Sequence, residues 1–143
     1  MSCTLRAGGA DFDVNAFLAN SSLKPCAVFR RGEPKCPASK PNGPIHQDSC
    51  FNVGVSEAEF GDLLRQTQDA LLFLEANEDE LIRLVGYPGV EGVEFDFAVK
   101  NEDAFVQSYC FAPDLIAWIG RLGIELCVSC YVKSEEEVHP TTA

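Results

Sequence analysis

The chain reads as an α+β domain, a mostly antiparallel sheet of five to six strands with two to four helices packed on one face. Three observations predict this. Val93, Phe95, Phe97 and Val99 alternate with Glu94, Asp96 and Ala98, the two-residue period of a strand with one wet face. Leu and Phe recur at helical spacing after residue 56. Capping residues mark the points where one period gives way to the other.

Taken in order, Cys3 to Gly8 is a short strand, and Asp11 or Asp13 caps a brief helix from Val14 to Ala19 with Phe17 and Leu18 inward. Pro25 to Arg31 is a second strand. Gly32, Pro34, Pro37, Pro41, Gly43 and Pro44 then crowd together, too many breakers for regular structure, and make a long loop. Loops of that length in compact domains are functional or disordered. Alternation resumes at Ser49 to Val55, with Phe51, Val53 and Val55 on one face. Ser56-Glu57-Ala58-Glu59 has the form of a capping box and predicts a helix from there to about Glu75, with Phe60, Leu63, Leu64, Leu71 and Leu74 inward. Asn77 opens a shorter helix that carries Leu81, Ile82, Leu84 and Val85 and ends at Gly86-Tyr87-Pro88-Gly89.

The strand at Val93 to Val99 is followed by a turn at Asn101-Glu102-Asp103, and Ala104 to Phe111 is expected to return as its hairpin partner. Ala112-Pro113-Asp114 opens a helix with Leu115, Ile116, Ile119 and Leu122 as its apolar face and Gly123 as its cap. Ile124 to Val132 is the strongest strand, with Ile124, Leu126, Val128, Cys130 and Val132 inward. With 143 residues and 46% hydrophobic content, the expectation is a single domain over 1–133 and a disordered polar tail over 134–143.

Charge is distributed unevenly. Of eleven Lys and Arg residues, Lys24, Arg30, Arg31, Lys35 and Lys40 lie between Ser21 and Gln47, where Glu33 is the one acid. That segment carries +4, and the remaining six bases against 21 acids carry −15. An acidic body repels nucleic acid and anionic lipid and attracts basic partners. Neither a secretory pattern at Met1 to Gly9 nor an apolar run long enough to span a bilayer is present, so a cytoplasmic location and no membrane association are expected. Seven cysteines, an odd number without a regular framework, read as free thiols.

Leu5-Arg6 before Gly9-Ala10-Asp11-Phe12-Asp13, Phe29-Arg30-Arg31-Gly32-Glu33 before a loop, and Pro113-Asp114-Leu115 through Leu122-Gly123-Ile124-Glu125-Leu126 form a pattern. It resembles the bacterial family catalogued as domain of unknown function 4279, from about Leu5 to Val132. The resemblance implies a small intracellular bacterial α+β domain with no assigned activity and no catalytic residues to transfer. Cys110, Cys127 and Cys130 fall outside that pattern.

Each constellation that could carry chemistry has a plainer reading beside it. Cys127-Val128-Ser129-Cys130 has C-x-x-C spacing, but residues three apart on a strand point to opposite faces. Cys26, Cys36, His46 and Cys50 are the residue types zinc prefers, at spacings that match no knuckle; the alternative is a proline-rich loop that happens to contain thiols. Cys50 with His46 resembles a nucleophile and base, without a geometry to fix them. Glu94 and Asp96 would lie about 7 Å apart on one strand face, the separation of acid–base pairs, or serve as solvated surface. Nucleotide-binding and zinc-protease motifs are not found.

The basic loop keeps two readings. Arg30, Arg31, Lys35 and Lys40, with His46, hold an anionic group or an acidic peptide, or they pair with the acidic body and pin the loop. The leading expectation is a non-enzymatic protein-interaction domain without a cofactor, one version being a toxin-neutralising immunity protein. The rival is a small-ligand or metal-binding domain centred on loop 30–50. A homodimer formed through an edge strand at Ala104 to Phe111 is also expected.

Overall fold

In a computed structural model, which describes residues 1–132, the elements follow the order β1 (Cys3–Gly9), α1 (Val14–Ala19), β2 (Ala27–Phe29), β3 (Ser49–Ser56), α2 (Leu63–Ala76), α3 (Glu78–Val85), β4 (Gly92–Lys100), α4 (Pro113–Leu122) and β5 (Glu125–Tyr131). The fold is α+β. Its five strands run β2-β3-β1-β4-β5, antiparallel at every seam except the parallel one between β4 and β5. The tail expected at 134–143 lies outside the described residues.

Alternation decides which face is covered. In β1 the odd positions Cys3, Leu5 and Ala7 are buried, and Leu5 stands between Val53 of β3 and Phe95 of β4. All join one apolar cluster with helix residues Val14, Phe17, Leu74, Leu81, Leu84, Leu115 and Ile119, so the helices share one side of the sheet. Phe17 stacks on Phe51 at 5.7 Å and meets the edge of Tyr87 at 5.0 Å, which ties α1 to the sheet. Asp13 is the residue that caps α1, its Oδ1 accepting from the Ala16 amide at 3.0 Å. From α3, Arg83 reaches back over the Phe17 ring at 4.1 Å and donates to the Phe17 and Asn20 carbonyls at the end of α1.

Several expectations are corrected. The helix predicted from Ser56 begins at Leu63, capped by Asp62, whose Oδ1 accepts from the Arg65 amide at 3.1 Å. Ser56 instead completes β3, and its hydroxyl accepts from the Ala58 amide and donates to Asp69. The later start turns the helix, so Leu64 is 73% exposed while Gln66, Thr67, Ala70 and Leu74 face the core. Ile82 and Ile116, expected inward, are exposed. The Asn77 side chain donates back to the Phe73 carbonyl, leaving Glu78, Asp79 and Glu80 to complement the N-terminus of α3 through charge.

Ala104 to Phe111 is not a strand. β5 takes the place beside β4 that the hairpin would have used, and the chain leaves the sheet after Lys100, where the Gln107 side chain donates to the Lys100 carbonyl at 2.9 Å. The edge strand expected at Ala104 to Phe111 is therefore not formed. α4 then runs from Pro113 to a left-handed Gly123, φ 75°, and delivers the chain to β5. With one sheet neighbour among the described residues, β5 keeps Ile124 buried ahead of it and Leu126 half-buried, while Val128, Cys130 and Val132 are exposed. Among the described residues no helix is long and apolar enough to cross a membrane.

Candidate functional site: the open sheet face and its cationic border

Because the helices share one side, the even positions of β1 and their neighbours form a second, uncovered face. Strand register lays these residues out in rows. Phe29, Cys50, Gly8 and Gly92 stand side by side across β2, β3, β1 and β4. The next row is Ala27, Asn52, Arg6, Glu94 and Glu125, and the one beyond holds Gly54, Thr4, Asp96 and Cys127. The middle row crosses all five strands, the first stops at β4 and the third begins at β3, so the face is continuous across β3, β1 and β4.

Glycine shapes it. Gly8 and Gly92 face each other without side chains, and a groove of about 240 Å³ opens there, lined by Arg6, Gly8, Cys50, Asn52, Gly92, Glu94 and Glu125 among others. At Gly8 no larger residue fits, since a Cβ would meet the Cys50 Cβ at 2.6 Å and the Ser49 carbonyl at 2.9 Å.

Arg6 organises the charges. Its Nη2 lies 2.9 Å from Asp96 Oδ2 and its Nη1 3.5 Å from Glu94 Oε1. Asp96 is only 4% exposed, and the Ser129 hydroxyl donates to its other oxygen at 2.7 Å. The two carboxylates that alternation placed on one face thus share one guanidinium. Glu125 stands beside Glu94 in register, so the β4–β5 side of the face is acidic.

The two thiols on this face point the same way. Burial pushes the Cys50 thiol up, Asp48 adds to the shift and Arg6 opposes it. Burial also raises Cys127, with Asp96 and Glu94 reinforcing it. Both are held as neutral thiols, the opposite of an activated nucleophile. Cys127 pairs in register with Asp96 and Cys130 with Val99, so the C-x-x-C thiols belong to opposite faces as the spacing predicts.

The opposite side of the face carries the cations. The excursion between β2 and β3 closes on itself like a strap: the Gly32 amide donates to the His46 carbonyl, His46 to Glu33, and Lys35 to Pro44, with a bridge between Pro34 and Ile45. Its base is clamped. Arg30 donates twice to Asn15 Oδ1 at 2.9 and 3.1 Å, and Arg31 donates to the Ala10 carbonyl and to Asp11, 3.4 Å away. The pinning role therefore describes Arg30 and Arg31. Lys35 and Lys40 are exposed beyond them, and the His46 ring packs on Phe29 at 5.0 Å, at the border of the open face.

The candidate zinc ligands are not gathered. Among the described residues no three of His, Cys, Asp and Glu are arranged to share a metal ion. Cys26 sits beside β2 with its thiol on the Asn52 carbonyl, Cys50 belongs to the open face, and Cys36 lies past the strap, its carbonyl accepting from Lys40. Arg6, Asn52, Gly92 and Glu125 enter the site without having been named as candidate site residues; the signal for Arg6 was its even position in β1, between Thr4 and Gly8. Comparison with family models, with curated proteins and with solved structures finds no match.

Proposed function

We propose that this protein is a cytoplasmic, non-enzymatic interaction domain that recognises a protein partner across its open sheet face and the cationic excursion beside it. The observation that carries the reading is the polarised, uncovered face: exposed Lys35 and Lys40 beyond β2, and Glu94 and Glu125 side by side at β4–β5. A partner with the complementary pattern is oriented as well as attracted. The groove supports a macromolecular partner over a small ligand. At about 240 Å³ it falls below the usual range for small-molecule sites, roughly 300–1,000 Å³, and it is open to solvent. A bacterial immunity protein that captures a basic toxin is one form of this function, consistent with the −11 net charge.

Affinity capture from an extract of the source cells, with the wild type and a Lys35→Glu/Lys40→Glu variant, tests the reading. A stoichiometric partner held by the wild type, associating more slowly as salt rises and lost by the variant, is expected. A partner whose association rate ignores salt contradicts it. Stoichiometric zinc in protein purified without chelator, absent from His46→Ala, would replace it with the metal-binding alternative.

A further inference from the structure

Strand β5 ends the strand order, and among the described residues β4 is its one sheet neighbour. The phase of its backbone follows from a single bond: the Asn101 amide donates to the Tyr131 carbonyl at 3.0 Å, continuing the parallel ladder past Lys100. Tyr131, Ser129, Cys127 and Glu125 therefore turn their peptide groups toward β4. Leu126, Val128 and Cys130 turn theirs outward, because backbone direction alternates along a strand. Exposed edges are ordinarily blunted by Pro, Lys, a bulge or brevity. This one pairs with β4 over seven consecutive residues and carries neither Pro nor Lys, and Val128, Cys130 and Tyr131 are exposed along it.

We propose that β5 pairs antiparallel with β5 of a second copy of this chain, across a two-fold axis at Val128. That axis overlaps all seven residues and sets the outward peptide groups of Leu126, Val128 and Cys130 against their counterparts. The side chains suit a self-complementary seam. Val128 meets Val128, Leu126 meets Cys130, Cys127 meets Ser129, and Glu125 meets Tyr131, so the strand's one charged residue never faces itself. Two five-stranded sheets become one of ten strands, and the open face doubles in extent. Repulsion between two chains of net charge −11 opposes the contact, so added salt tightens it.

Sedimentation equilibrium of the full chain under reducing conditions tests this. The expected result is twice the 15.6 kDa chain mass, with dissociation decreasing as salt rises. Val128→Pro removes an outward amide and no bond to β4, so it is expected to give a monomer with an unchanged far-ultraviolet spectrum. Should that variant fail to fold, Val128→Lys, which sets two ammonium groups face to face without touching the backbone, gives the same loss of dimer. A wild type of monomer mass at every concentration and salt overturns the proposal, as does a dimer that survives in the folded variant.

Discussion

Arg6 reaches Asp96 diagonally across the β1–β4 seam, with Nη2 2.9 Å from Oδ2, although the direct neighbour of Arg6 is Glu94 and that of Asp96 is Thr4. The diagonal lets one guanidinium answer two carboxylates, of which Asp96 is buried. Removing one partner of a buried pair leaves an uncompensated charge, and the partial exposure of Arg6 softens that cost. Arg6→Met is therefore expected to lower stability by about 2 kcal/mol, and Arg6→Met/Asp96→Asn to recover most of it. Urea midpoints of the wild type, the two single variants Arg6→Met and Asp96→Asn, and the double variant check the pattern.

Much of the fold was legible because local signals agreed with tertiary demand. Asp13 and the run Val14 to Ala19 read directly as a capped helix, and the β4 alternation placed Val93, Phe95, Phe97 and Val99 in the core, although Asp96 and Ala98, expected on a wet face, are buried as well. Where a local signal had a competing tertiary use, it misled. Ser56 matched a capping box, yet β3 takes it up and Asp69 accepts its hydroxyl; Leu64 matched a helical stripe whose phase Asp62 resets. Ala104 to Phe111 had strand composition, but composition cannot show that β5 already pairs with β4. The site was half legible. Its cations and its Glu94–Asp96 pair were visible as charge, whereas Arg6 joins them only through the β1–β4 register, which needs both strands placed.

Arg83 joins α3 to α1 through two carbonyls and the face of Phe17. Arg83→Ala removes the cation–π contact and both bonds, and the expected loss is about 2 kcal/mol. Hydrogen exchange should rise at Val14 to Ala19 before it rises in β1. Uniform protection in the variant would contradict this role.

Glu80 gives the stability a defined pH dependence. Hydrogen bonding from Arg83 holds its carboxyl below the usual carboxylate range, aided by Ser21 and opposed by burial. A folded-state value below the unfolded one means the contribution is complete above the unfolded value, about 4.3, and is lost as pH falls through the folded one. Glu80→Gln is expected to flatten this acid-side loss. Denaturant midpoints compared between neutral pH and pH about 3 measure it.

Gly8 and Gly92 face each other but differ in what surrounds them. A Cβ at Gly8 would meet Cys50 and the Ser49 carbonyl, and at Gly92 it meets nothing within 4 Å. Gly8→Ala is expected to cost roughly 1–3 kcal/mol through overpacking, and Gly92→Ala to stay within about 0.5 kcal/mol of the wild type. Thermal melts of the two variants separate these outcomes.

Because Gly92 tolerates a side chain, it also offers the most direct probe of the open face as the recognition surface. Partner capture should be compared between Gly92→Arg, which fills the groove and reverses local charge, and Leu72→Ser, on the exposed side of α2. The account predicts that Gly92→Arg, folded as the wild type, loses the partner while Leu72→Ser retains it. A partner kept by Gly92→Arg and released by Leu72→Ser would put recognition on the helical layer and contradict the account.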